Sequence, residues 1–168
     1  MLQETIHNLA DRIRKANVLI FNTGAGMSAD SGIPTYRGED GTWGRLEKEF
    51  NQPVTEIMTP QFIRENPLFM WKRFSTGMAR SKQIQPHAGY YLLHNWTNRL
   101  RLPYFAVTSN VDRQFAQAGF AEERIYEVHG AGGFLQCTVP CWNRCGQCDY
   151  SVVSLRDRTK RRKITQMP

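Results

Sequence analysis

An α/β fold built on a parallel sheet is what this 168-residue chain predicts, and three observations carry it. Short apolar runs, Val18-Leu19-Ile20-Phe21, Tyr104-Phe105-Ala106-Val107-Thr108 and Ile125-Tyr126-Glu127-Val128, have the length of buried strands. Segments of helical period lie between them, and such alternation indicates a parallel sheet. The segments 23–38, 108–112 and 129–130 each follow the carboxyl end of an expected strand. In an open α/β sheet that edge is where ligands bind.

The elements follow in order. Ile6, Leu9, Ile13 and Ala16 recur at helical spacing and predict a helix over 3–16. The first strand is expected at 18–22, then a glycine-rich loop and a short helix. Residues 35–60 are rich in Gly, Pro and charge and read as a mobile loop. Pro60 and Pro67 punctuate two helical pieces, Pro67 standing at a plausible first helical position. The aromatic face of 67–74 reads as core. A helix over 86–99 offers Leu92, Leu93 and Trp96 as inward candidates. The second strand is 104–108. A helix from Val111 to Ala118 ends at Gly119, a suitable C-cap position, before the third strand at 125–128. No internal repeat is visible.

Bulk properties bound the class. The length suits one domain, or one with a small insert. Hydrophobic residues at 40% and aromatics at 11% suffice for a core. No apolar stretch reaches transmembrane length. The N-terminus lacks the apolar segment of a secretory signal, so a soluble cytoplasmic protein is expected. The net charge of +7 is local: Arg156, Arg158, Lys160, Arg161, Arg162 and Lys163 carry the excess. A basic run alone does not identify a ligand. A solvated segment is favoured over a phosphate- or acid-binding patch, and nucleic acid is not expected as a partner.

Gly24-Ala25-Gly26-Met27-Ser28-Ala29 directly follows the first strand. A strand entering Gly-x-Gly-x-x-Ala opens a dinucleotide site. Gly24 permits the tight turn, Gly26 lets the backbone approach a pyrophosphate, and Ala29 lets the helix pack close to the sheet. Free N–H groups at that helix start would face the phosphates. The continuation Ser31-Gly32-Ile33-Pro34-Thr35-Tyr36-Arg37-Gly38 makes the segment specific.

That continuation closely resembles the signature of the sirtuins, the NAD-dependent protein-lysine deacylases. Three further blocks appear in the family's order: Gly41-Thr42-Trp43, Thr108-Ser109-Asn110-Val111-Asp112 and Glu127-Val128-His129-Gly130, followed by Cys137. The implied fold is a Rossmann-like parallel sheet with a helical insert and a small Cys-rich module. Residues 1–34 and 84–135 would form the Rossmann-like part, 35–83 the loop and insert, and 136–168 the Cys-rich module. The family's core is considerably longer, so the sheet is expected to be incomplete at the C-terminus. The chain then reads as an N-terminal portion: a fragment, a truncated gene product, or a variant completed by a partner.

The resemblance also implies roles. Catalysis would fall to His129 as general base and to Asn110. Cofactor contacts would fall on Gly24, Ala25, Gly26, Ser28, Ala29, Tyr36, Arg37, Ser109, Asn110, Asp112 and His129. Asn110 would touch the ribose and a water, Asp112 would hold the nicotinamide carboxamide, and Arg37 would sit near the diphosphate, where its fork suits phosphate oxygens. Residue chemistry alone leaves alternatives: Asn110 and Asp112 also suit helix capping, and Ser28 is either a cap or a ligand contact. Two positions depart from the family pattern. Ser109 replaces Gln, and in Pro86-His87-Ala88-Gly89-Tyr90 the tyrosine stands where His is usual.

Cys137, Cys141, Cys145 and Cys148 are all the cysteines of the chain. Four clustered thiols in a cytosolic chain suggest structural zinc rather than disulfides. Sirtuins with zinc use two pairs spaced further apart, so Cys145 and Cys148 are a compressed pair, or one pair is free. The expected activity is NAD-dependent removal of acyl groups from lysines of a protein or peptide, giving nicotinamide and acyl-ADP-ribose. The rivals are an NAD glycohydrolase on the same fold and a non-enzymatic NAD- or zinc-binding fragment.

Overall fold

The computed structural model of the chain describes residues 2–38, 40–135 and 146–147, with Leu135 and the last pair as backbone only. It divides into two compact units, Met1–Gly132 and Gly133–Pro168.

In the first unit β1 (Leu19–Thr23), β2 (Tyr104–Thr108) and β3 (Ile125–Glu127) form a parallel sheet in the order β1-β2-β3. All three expected strands are present. Thr23 pairs with Thr108, and Thr108 with Glu127, so the three carboxyl ends are level. The Thr23 hydroxyl donates to Thr108 Oγ1 at 2.9 Å across that row. Every segment that follows a strand therefore leaves the sheet at one edge.

Period-2 alternation splits the strands into two faces. Phe21, Ala106 and Ile125 occupy one register row and point to the core, which also holds Tyr90, Phe115, Ala118 and Phe120. Phe120 is the hub, meeting Phe21, Tyr104 and Phe115 edge-on with ring centroids 5.8, 5.2 and 5.0 Å apart. Full burial of such side chains stabilises by roughly 1.5–3 kcal/mol each. On the opposite face Ile20, Phe105 and Tyr126 are exposed, Ile20 at 61%. The first strand is thus parallel as expected, but buried on one face only among the described residues.

The helices are α1 (Leu2–Arg14), α2 (Ala25–Ala29), α3 (Thr42–Phe50), α4 (Val54–Ile57), α5 (Pro60–Glu65), α6 (Pro67–Gln83), α7 (Ala88–Leu100) and α8 (Gln114–Gln117). The periodicity that predicts α1 is real, yet none of its residues is buried, and Ile6 and Leu9 are exposed. Pro67 stands at a helix start as expected, and Pro60 stands at another. Thr59 caps α5 by accepting from the Phe62 N–H at 3.2 Å.

Three expectations are corrected. Residues 42–57 are largely helical rather than a mobile loop. Trp43, Leu46 and Phe50 share one helix face; Leu46 and Ile57 are buried, and Phe50 packs on Phe62 and Phe69 at 5.2 and 4.7 Å. That apolar face outweighs the local Gly, Pro and charge content. On α7 Leu93 is inward as expected and Trp96 is half-buried, but Leu92 is exposed, and Tyr90 and Thr97 are the buried residues. The helix expected over 111–118 shortens to α8, because Arg113 adopts a left-handed conformation at φ 66 and stops it from reaching Val111. Its far end is as expected: Gly119, at φ 96, follows the last turn.

The second unit contains β4 (Phe134–Leu135) paired antiparallel with β5 (Gly146–Gln147). Cys137, Cys141, Cys145, Cys148 and the basic run 156–163 lie outside the described residues.

Candidate functional site

The level strand ends bring residues from distant parts of the sequence into one buried polar cluster. After β1 the chain turns at Gly24 into α2, whose one buried residue is Ser28, at 1% exposure. After β2, Asn110 and Asp112 reach the same point. The Ser28 hydroxyl donates to Asp112 Oδ2 at 2.6 Å. Its single hydrogen is then committed, so it accepts from Asn110 Nδ2 at 2.9 Å and from the Tyr90 hydroxyl at 2.8 Å. Burial, ahead of every other cause, pushes the Tyr90 pKa up to about 12, consistent with a phenol that keeps its proton and donates.

Asn110 is held twice more. Its backbone N–H donates to Thr108 Oγ1 at 3.1 Å, and Nδ2 donates to the Gly24 carbonyl at 2.9 Å. Both amide hydrogens are therefore used within the protein. Asp112 Oδ1 accepts from the Gln114 N–H at 3.0 Å, a capping bond. One carboxylate oxygen thus meets the first N–H of α8 while the other meets Ser28.

His87 braces the cluster from the start of α7. Its Nδ1 accepts from the Gly89 N–H at 3.0 Å, so Nε2 carries the hydrogen and donates to the Met27 carbonyl at 2.8 Å. The His87 N–H donates to Ser31 Oγ at 3.0 Å. The middle of α2 and the turn that follows it are thereby tied to the start of α7. Tyr90 and His87 are the members that sequence reasoning left unassigned. The signal was the departure from the family pattern at Pro86–Tyr90, which marks the place without indicating the partner.

The other residues singled out from the sequence lie around this cluster. Gly26 is exposed, and a Cβ there would meet nothing within 4 Å, which leaves room for close approach. Gly24 is extended at φ −143, so it supplies no left-handed turn; a Cβ would only touch Ser109 Oγ at 3.4 Å. Ala29 is exposed; the α2 residue that packs on the core is Met27. Ser109 is exposed, and its N–H donates to the Thr23 carbonyl at 3.1 Å. The Tyr36 pKa is raised, first by burial and then by the Asp112 carboxylate, which places the phenol within electrostatic reach of the cluster. Arg37 stands over the Trp43 ring at 5.6 Å. It lines a cleft of about 550 Å³ with Trp43, Glu47, Lys48 and Asn51, and neither Ser28 nor Asn110 is among the lining residues.

His129 leaves the same sheet edge from β3. The Gly130 N–H donates to the Glu127 carbonyl at 3.0 Å, closing a turn that presents an exposed imidazole. Among the described residues no side chain bonds that ring. The arrangement can hydrogen-bond a polar ligand from Asn110 and Asp112 and offer an accessible base at the neighbouring strand end.

The Sir2 family model matches residues 24–166. The chain is 31% identical over 136 residues to NAD-dependent protein deacylase 2 of Archaeoglobus fulgidus, covering 81% of this chain and 50% of that protein. It is 33% identical over 121 residues to an NAD-dependent protein deacylase of Aquifex aeolicus, covering 72% and 46%. Among solved structures, a Sir2 homologue in complex with ADP-ribose superposes at TM-score 0.70 with 30% identity, covering 84% of this chain and 52% of that one. A Sir2 homologue–NAD complex superposes at 0.68 with 30% identity. The chain spans about half the length of the curated relatives it matches.

Proposed function

The chain belongs to the Sir2 family, and from that membership we propose NAD-dependent removal of acyl groups from protein lysines as the activity of the protein. One observation carries the reading furthest: Ser28, Asn110 and Asp112 join in a single hydrogen-bonded cluster beside the open backbone at Gly26. The names of the relatives and the NAD and ADP-ribose complexes of the matched structures support it.

NAD and the acylated lysine are both substrates. The lysine amide oxygen attacks C1′ of the nicotinamide ribose, and the bond from C1′ to nicotinamide breaks. His129 takes the proton of a ribose hydroxyl as that oxygen adds to the imidate, and water then releases free lysine and acyl-ADP-ribose. Asp112 accepts from the nicotinamide carboxamide, and Asn110 Oδ1 serves the ribose or its water. Backbone N–H groups at 24–26 and the Arg37 fork serve the diphosphate. A structural zinc on Cys137, Cys141, Cys145 and Cys148 belongs to the same proposal, supported by the clustering of four thiols. So does a cytoplasmic location, since free thiolates need a reducing compartment. No helix among the described residues is long and apolar enough to cross a membrane.

The test is nicotinamide release from NAD by the purified protein, with and without an acetyl-lysine peptide. Release that depends on the peptide, with matching deacetylation, is expected. Equal release without peptide would replace deacylation with NAD hydrolysis, and no release would remove the enzymatic reading.

A further inference from the structure

Arg113 is a bulky residue held at φ 66, ψ 15, a conformation that side chains other than Gly, Asn and Asp rarely adopt. Its guanidinium donates to Glu127 Oε2 at 3.0 Å and to Glu122 Oε1 at 2.5 Å. The two pairs differ in weight. Glu122 is 70% exposed, and such an ion pair contributes little. Glu127 is only 11% exposed and Arg113 23%, so their pair is shielded from solvent. Burial is the largest influence on Glu127, raising its pKa, and Arg113 opposes that rise.

What this pair joins matters. Arg113 lies inside the turn that Asp112 Oδ1 closes onto the Gln114 N–H. Glu127 opens the turn that carries His129 and ends with the Gly130 N–H on the Glu127 carbonyl. On the far side of His129, the Gly132 N–H donates to the Val111 carbonyl at 2.7 Å. The segment bearing His129 is therefore anchored on both flanks to residues 111–113.

The geometry points to Arg113 as a positioning residue for the proposed reaction: through Glu127 it holds the His129 turn in register with the Asp112 loop. The inference rests on the deacylase reading. Two groups acting on one substrate need a fixed separation, and small misplacements from changes outside the chemistry are costly in rate.

The experiment compares the protein with its Arg113→Gly, Arg113→Lys and Glu127→Gln variants. Glycine relieves the left-handed backbone, so Arg113→Gly is expected to fold at least as stably while losing the tie. Its kcat should fall roughly tenfold, with KM for NAD changing by less than about twofold. Glu127→Gln should fall in the same direction. Arg113→Lys should recover part of the loss, since it keeps the charge without the fork. Amide exchange at Gly130 and Gly132 should quicken in Arg113→Gly. An unchanged kcat in that variant overturns the inference. If the unmodified protein releases no nicotinamide, the deacylase reading fails by itself; amide exchange then decides the tie, and no quickening overturns it.

Discussion

Ser28 and Asp112 are 84 residues apart in sequence and share a hydrogen bond of 2.6 Å. The bond joins the turn after β1 to the loop after β2, and it sets the direction of the Ser28–Tyr90 bond. With the serine hydrogen given to the carboxylate, Tyr90 and Asn110 can only donate.

Ser28→Ala should therefore leave two donors and a carboxylate oxygen without their buried partner. The expected cost is about 1–3 kcal/mol, with loss of NAD-dependent turnover because Asn110 and Asp112 lose their common brace. Urea denaturation of the variant checks the first part, and an unshifted midpoint would contradict the bonding pattern.

Tyr90→Phe isolates a pH effect. The folded-state pKa of Tyr90 is raised from 10.0 to about 12. The stability it contributes is thus fully present below pH 10 and is lost as pH rises through 12. Below that window the variant should be the less stable protein. The difference should shrink between pH 10 and 12, since phenylalanine has no proton to lose. Melting temperatures of both proteins across this range provide the measurement, and parallel curves would count against the assignment.

His129→Ala is expected to lower deacylation by ~10²–10⁴, the usual effect of removing a general base. NAD affinity and melting temperature should change little, because the imidazole is exposed and bonds no described side chain. Turnover equal to that of the unmodified protein would take His129 out of the mechanism.

Zinc should be found at one ion per chain by metal analysis, held by thiolates among Cys137, Cys141, Cys145 and Cys148. Chelation is expected to quicken proteolysis of 137–168 while sparing the segment around Gly24, because binding energy of a structural metal is folding energy of its own module. Metal-free protein with four titratable thiols would refute the site.

Much of the site was legible because its parts are local. Gly24–Gly38, Ser109–Asp112 and Glu127–Gly130 are each contiguous, and each follows a strand that its own apolar run announces. Helix starts at Pro60 and Pro67 follow from the fixed φ of proline, again a property of one residue. Residues 42–57 were misread for the opposite reason. Their Gly, Pro and charge content is visible locally, while the value of Leu46, Phe50 and Ile57 depends on Phe62 and Phe69 being there to cover them.

Sequence alone thus determined the family, the three strands and the chemical character of each strand end. Tertiary structure decided which groups meet. That Tyr90 bonds Ser28, 62 residues away, depends on how α7 crosses α2, and His87 fastens that crossing through the Met27 carbonyl. That Arg113 faces Glu127 depends on the parallel register that sets Thr108 beside Glu127. Periodicity and turn preferences are properties of neighbouring residues. A hydrogen-bond partner across 60 or more residues is selected only when the sheet register and helix packing have brought both groups to the same few ångströms.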